Sequence, residues 1–123
     1  MPSGTTSNRV GAIPGTPPEG GVFLYPNMGV KLKRTGITDE TYIKDILRKE
    51  GYSVYVWSDA PGTYYPVHTH PDTEIRWVVE GEVTIGVEGK EISLGPGDMI
   101  ELDPNTPHWA RTEKGVKYVC GSK

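Results

Sequence analysis

The sequence predicts an all-β domain, a sandwich or barrel, preceded by one short helix. Three observations carry this reading. From Tyr52 onward the apolar residues recur with a period of two. Turn signals interrupt that pattern about every 8–12 residues, the rhythm of short antiparallel strands. The 123 residues include 16 Gly and 11 Pro, which leaves room for short strands and little for long helices.

Taken in order, residues 1–21 are largely Ser, Thr, Gly and Pro. They carry too little apolar surface to offset the entropy of ordering. A flexible tail is expected, or an arm that orders only against another subunit. Val22–Tyr25 and Gly29–Lys33 each suit a short strand, and with the helix they form an N-terminal segment, residues 22–51. Lys31-Leu32-Lys33-Arg34 is a small basic stretch, expected as a solvated strand edge. The helix is signalled by Thr38 as N-cap and by Asp39 and Glu40 in the first turn, where the dipole favours negative charge. Tyr42, Ile43, Ile46 and Leu47 share one apolar face. Glu40 with Lys44, and Asp45 with Lys49, stand four apart with opposite charge. Gly51 closes the helix, whose expected role is to pack on the sheet.

The barrel then occupies residues 52–121. Strands are expected at Tyr52–Trp57, Thr63–His70, Glu74–Glu80, Glu82–Val87, Glu91–Leu94, Met99–Leu102, His108–Thr112 and Val116–Cys120. Asp59-Ala60-Pro61-Gly62 ends the first of these. Glu88-Gly89 reads as a hairpin turn and Gly95-Pro96-Gly97 as a sharper one.

Function is signalled by histidine. The chain has three: His68 and His70 in His68-Thr69-His70-Pro71-Asp72-Thr73-Glu74, and His108 after Asp103-Pro104-Asn105-Thr106-Pro107. In a strand, residues i and i+2 point to one face, so His68 and His70 can converge while Thr69 faces away. Pro71 biases His70 toward extended backbone, and Pro71-Asp72-Thr73 reads as a turn. Glu74 opens the next strand and can face the same centre. His108 would arrive from a third strand. An isolated His-x-His is often only a polar strand face. Here a carboxylate follows at short range and no histidine is left over. Iron, manganese, nickel, copper and zinc all accept imidazole and carboxylate, so one divalent transition metal is the expected cofactor.

The rest of the composition excludes classes. Net charge is −3, so no broad basic surface for nucleic acid is expected. No apolar run of about 18 residues implies a membrane span. Residues 1–20 lack the apolar stretch of a secretory signal. The single cysteine, Cys120, forms no internal disulfide and reads as a small buried apolar residue. A cytoplasmic location is the expectation.

Gly62, five residues, His68-Thr69-His70, three residues, Glu74, six residues and Gly81 resemble the first motif of the cupin superfamily without a gap. Gly97-Asp98 and Thr106-Pro107-His108 resemble the two ends of its second motif. Asp103 and Asn105 stand where that family usually has Pro and Gly, with Pro104 between them. Asn tolerates the left-handed conformation better than most residues, so the turn can survive. Thr112 replaces a frequent Asn. The resemblance covers about residues 52–120. It implies a double-stranded β-helix, the cupin jelly roll, often a homodimer, with His68, His70, Glu74 and His108 as ligands to one divalent metal.

Four protein ligands on a six-coordinate ion would leave two positions open. Three neutral imidazoles and one carboxylate leave a divalent ion a formal +1 charge, which favours anionic small-molecule ligands. If Glu74 faces in, so do Arg76 and Val78. Arg76 then either clamps a substrate carboxylate or pairs with an inward acid such as Glu80 or Glu101. Counting back from His68 places Tyr64 inward, as a hydrogen-bond donor or acid, or as wall. Trp77 and Trp109 fall on the opposite parity, as core or dimer contacts. Three function classes fit: a metal-dependent oxygenase of a small anionic or enolisable substrate, a metal-assisted isomerase or decarboxylase, and a non-catalytic small-ligand or metal-binding module.

Overall fold

The computed structural model describes residues 22–25 and 29–123. The expected tail over 1–21 lies outside the described residues. The elements are β1 (Val22–Tyr25), β2 (Val30–Arg34), α1 (Glu40–Lys49), β3 (Ser53–Asp59), β4 (Tyr64–His68), β5 (Glu74–Gly81), β6 (Val83–Val87), β7 (Lys90–Leu94), β8 (Asp98–Leu102), β9 (His108–Arg111) and β10 (Val116–Ser122). They form a six-stranded sheet in the order β1-β2-β8-β5-β10-β3 and a four-stranded sheet in the order β4-β9-β6-β7. Every pairing is antiparallel. This is the jelly roll the sequence predicts.

Strand β5 shows how the pattern sets the layers. Val78 points between the sheets into a core with Ile85, Ile100 and Leu102. Ile75, Trp77 and Val79 point to the other face and pack on Ile43 and Leu47 of α1. Trp77 is buried there, and its Nε1 donates to Ile37 O at 3.0 Å. The period of two therefore separates a core-facing row, Glu74, Arg76 and Val78, from a helix-facing row.

Helix α1 packs as expected, but it begins one residue later than its first signal. The N-cap is Asp39, not Thr38: Asp39 Oδ1 accepts from Tyr42 N at 2.9 Å. A carboxylate satisfies the orphan N–H and also meets the positive end of the dipole. Glu40 pairs with Lys44 at 3.1 Å and with Lys117 of β10 at 3.0 Å, on the surface between helix and sheet.

The basic stretch Lys31–Arg34 is not a strand edge. It lies in β2, with β1 on one side and β8 on the other. Lys31 and Lys33 are exposed, Leu32 is in the core, and Arg34 is buried with Nη1 2.9 Å from Asp98 Oδ2. Strand alternation gives the four residues two fates.

Two turns sit where side chains had to tolerate left-handed backbone. Asn105 has φ 62°, and Glu88 with Gly89 have φ 47° and 80°. Strand β3 ends the larger sheet and β4 ends the smaller, and the two share no ladder. Residues of both line the candidate site.

Candidate metal centre

The three histidines converge. Their ligand atoms all lie within 4.8 Å of one another, and the ring centroids are 4.3, 4.8 and 5.2 Å apart. His68 ends β4 and His108 opens β9, where the two residues face each other across the ladder. His70 follows in the turn, its backbone held by Asn105 N, which donates to His70 O at 2.7 Å. The left-handed Asn105 thus sets His70 as well as delivering the chain to His108.

The tautomers are set locally. His68 Nδ1 lies 2.7 Å from Pro66 O and His108 Nδ1 lies 2.8 Å from Thr106 O. A carbonyl only accepts, so each Nδ1 carries the proton and each Nε2 presents a lone pair to the centre. A backbone acceptor behind the ring is the usual support of a metal-ligating histidine. His70 Nε2 is buried with no hydrogen-bond partner. Burial holds the His70 pKa below the ordinary histidine value, with Glu74 opposing. Burial pushes His108 down to about 4, against its bond to Thr106. Both rings are therefore neutral at pH 7. Neutral imidazoles, an orphaned buried nitrogen and two fixed tautomers fit a divalent metal.

Glu74 is buried on the same inward row, but its carboxylate faces a cation already. Arg76 Nη1 lies 3.0 Å from Glu74 Oε1 and also donates to Ile75 O at 3.0 Å. The alternatives Glu80 and Glu101 are not the partners. Glu101 stands opposite Ile75 in the ladder, on the helix-facing side, and Glu80 is exposed at the strand end. Burial works against the Arg76 charge, but Cys120, Tyr55 and Glu74 outweigh it and hold its pKa up.

The histidines and Arg76 stand in the wall of one cavity of about 500 Å³, with Tyr55, Trp57, Tyr65, Tyr118 and Cys120. Tyr64 is not in that wall. It is 57% exposed, with its ring 6.3 Å from that of Trp109. The reason is a register shift between Tyr65 and His68, at Pro66 and Val67, which reverses the parity. Tyr65 takes the inward place, 6.4 Å from the His68 ring. A proline inside a strand is the one sequence signal of such an irregularity. Trp109 lies outside the cavity, over Gly86, where an added Cβ would stand 1.9 Å from the indole. Cys120 is buried, and burial raises its thiol to about 11, so it remains protonated.

A two-sheet β barrel with a three-histidine cluster in the wall of an open cavity defines a class of small barrel with a candidate metal centre. Residues 55–120 match the cupin domain family, and the chain belongs to it. Three curated relatives are similar over part of their length. An acireductone dioxygenase of Bacillus licheniformis is 32% identical over 93 residues, 63% of this chain and 52% of that protein. The dimethylsulfoniopropionate lyase DddQ of Ruegeria pomeroyi is 38% identical over 64 residues, 51% of this chain and 32% of that protein. Its crystal structure superposes with a TM-score of 0.55, covering 58% of this chain and 38% of that one, at 32% identity. An L-ectoine synthase of Bordetella parapertussis is 32% identical over 82 residues, 63% of this chain and 56% of that protein. The chain thus spans about half or less of the length of these relatives. No helix among the described residues is long and apolar enough to cross a membrane.

Proposed function

We propose that this chain is a divalent-metal-dependent enzyme, of oxygenase type, acting on a small anionic or enolisable substrate. His68, His70 and His108 would hold the ion, with Glu74 as a fourth ligand. The bound ion would supply Lewis acidity and, as iron or another redox metal, oxygen chemistry. The observation that supports this reading is the convergence of three histidines, two with fixed tautomers and one with an unsatisfied buried nitrogen, in an open cavity whose wall also holds Arg76.

The chain's own residues have distinct tasks. Pro66 O and Thr106 O hold two rings in donor orientation. Arg76 balances Glu74 and offers a fixed guanidinium to an incoming anion. The apolar wall excludes water from one side of the substrate. Association into a homodimer belongs to the same proposal, and light scattering should give the mass of two chains. The test of function is oxygen uptake by the iron-loaded protein with a panel of diketones, thiols and hydroxy acids. Uptake that requires His108 supports the proposal, and none across the panel overturns the oxygenase reading.

A second reading is favoured by one finding: the lyase is matched both by sequence and by solved structure. In that reading the ion acts as a Lewis acid without redox change, as in a metal-assisted lyase, isomerase or decarboxylase. Turnover retained with zinc would favour it.

A further inference from the structure

One ladder step from the histidines, the cavity wall is built from aromatic rings whose polar heads all turn to one carboxylate. Trp57 Nε1 donates to Asp59 Oδ1 at 2.9 Å. The Tyr65 hydroxyl donates to the same oxygen at 2.6 Å. The Tyr118 hydroxyl donates to Asp59 Oδ2 at 2.8 Å. Trp57, Tyr65 and Tyr118 line the cavity and Asp59 does not. With their donors engaged behind the wall, these residues leave ring surface for a ligand.

The strand registers order this cavity along one axis. Arg76 stands opposite Cys120, and Cys120 opposite Tyr55, in the layer of the histidines. One inward step further, Tyr118 stands opposite Trp57, and Tyr65 opposite Ala110. One more step brings Asp59, opposite Val116. Charge changes sign along that line. The guanidinium and the candidate ion stand at one end. Ring faces, which are negative, stand in the middle, and a carboxylate lies behind them. Among the described residues Asp59 forms no ion pair, so its charge is not cancelled by a neighbouring lysine or arginine.

We propose that the ligand of this site is a small zwitterion, with a carboxylate or enolate head at the histidine end and a quaternary onium tail against Trp57, Tyr65 and Tyr118. The head rests on the anion-binding reading above, and the tail rests on the aromatic layer alone. A quaternary centre fits better than a primary ammonium, because it has no N–H that would need an acceptor in a wall of rings. A purely apolar tail would gain contact area but nothing from the ring quadrupoles or from Asp59.

The test is calorimetric titration of the zinc-loaded protein with two probes of one shape. These are trimethylglycine and 3,3-dimethylbutanoate, the isosteric carboxylate whose tail carries no charge. A merely apolar or merely electropositive pocket prefers the isostere. The proposal predicts that trimethylglycine binds about five- to tenfold more tightly, the range expected of cation–π contact. Trp57→Leu should abolish the preference; Trp57 is half-exposed on an outer strand, so the variant should fold. Tyr65→Phe keeps the ring and should keep the preference. Equal or tighter binding of the isostere, or a preference unchanged in Trp57→Leu or lost in Tyr65→Phe, overturns the tail assignment and leaves the anion site standing. Binding of neither probe to zinc-loaded protein overturns both.

Discussion

Arg76 Nη1 stands 3.0 Å from Glu74 Oε1, two residues apart on one strand and on the same inward face. The two side chains are 16% and 9% exposed, so each charge depends on the other for compensation. A candidate metal ligand is therefore already neutralised by a neighbour that can also meet a substrate anion.

Arg76→Gln should destabilise the metal-free protein by about 3 kcal/mol, the lower part of the range for a broken buried pair. Metal loading should recover much of that loss by giving Glu74 another cation. Metal content should stay near that of the unaltered chain, while affinity for a small carboxylate falls by about tenfold or more. Thermal melts with and without zinc, and anion titrations, check both parts.

The metal-free protein should lose stability as the pH falls from 6.5 toward about 4. His108 has its folded pKa pushed down to about 4 from 6.5 by burial. Between those values the unfolded chain takes up a proton that the folded chain refuses, so protonation favours unfolding. The contribution is fully present above 6.5 and gone below about 4. Denaturant midpoints across that window measure it. His108→Gln, which has no ring to protonate, should flatten the slope. Metal affinity should decline in the same direction, below about pH 6, because ligating imidazoles must be neutral.

Tyr64 and Tyr65 should separate cleanly. Tyr64→Ala removes an exposed ring and should change stability by no more than about 0.5 kcal/mol, with ligand affinity unchanged. Tyr65→Ala opens the aromatic wall beside His68 and should weaken binding severalfold. Titration of both variants with one carboxylate ligand decides between the counted parity and the bulged strand.

Gly86→Ala should destabilise the barrel by about 1–3 kcal/mol, the usual cost of overpacking. Its Cβ would enter the Trp109 indole, so the ring must move off the strand. A melt of Gly86→Ala beside Trp109→Leu,Gly86→Ala checks the cause, since removing the indole should restore part of the loss.

Much of this structure is legible in the residues. The strand pattern from Tyr52 follows alternation, because each strand buries one face and the two periods cannot be confused over eight strands. The histidines are legible because their spacing and their flanking prolines fix backbone direction. The Arg76 partner was not legible. Glu74, Glu80 and Glu101 are all nearby in sequence or ladder, and only the register that puts Glu101 opposite Ile75 excludes it. Tyr65 is hidden by the bulge at Pro66 and Val67, which resets the parity that counting assumes, while Trp57, Asp59 and Tyr118 sit in strands with no motif to mark them. The cap of the helix shifted from Thr38 to Asp39, a choice between two adjacent good capping residues.

The central claim is that His68, His70 and His108 form a metal centre. Elemental analysis of purified, tag-free protein beside its His108→Ala variant tests it most directly. The account predicts about one divalent transition metal per chain, with occupancy lost in the variant. Metal content that is equal in both proteins, or a histidine-intact protein that takes up no ion after incubation with iron, manganese, nickel, copper and zinc, would contradict it.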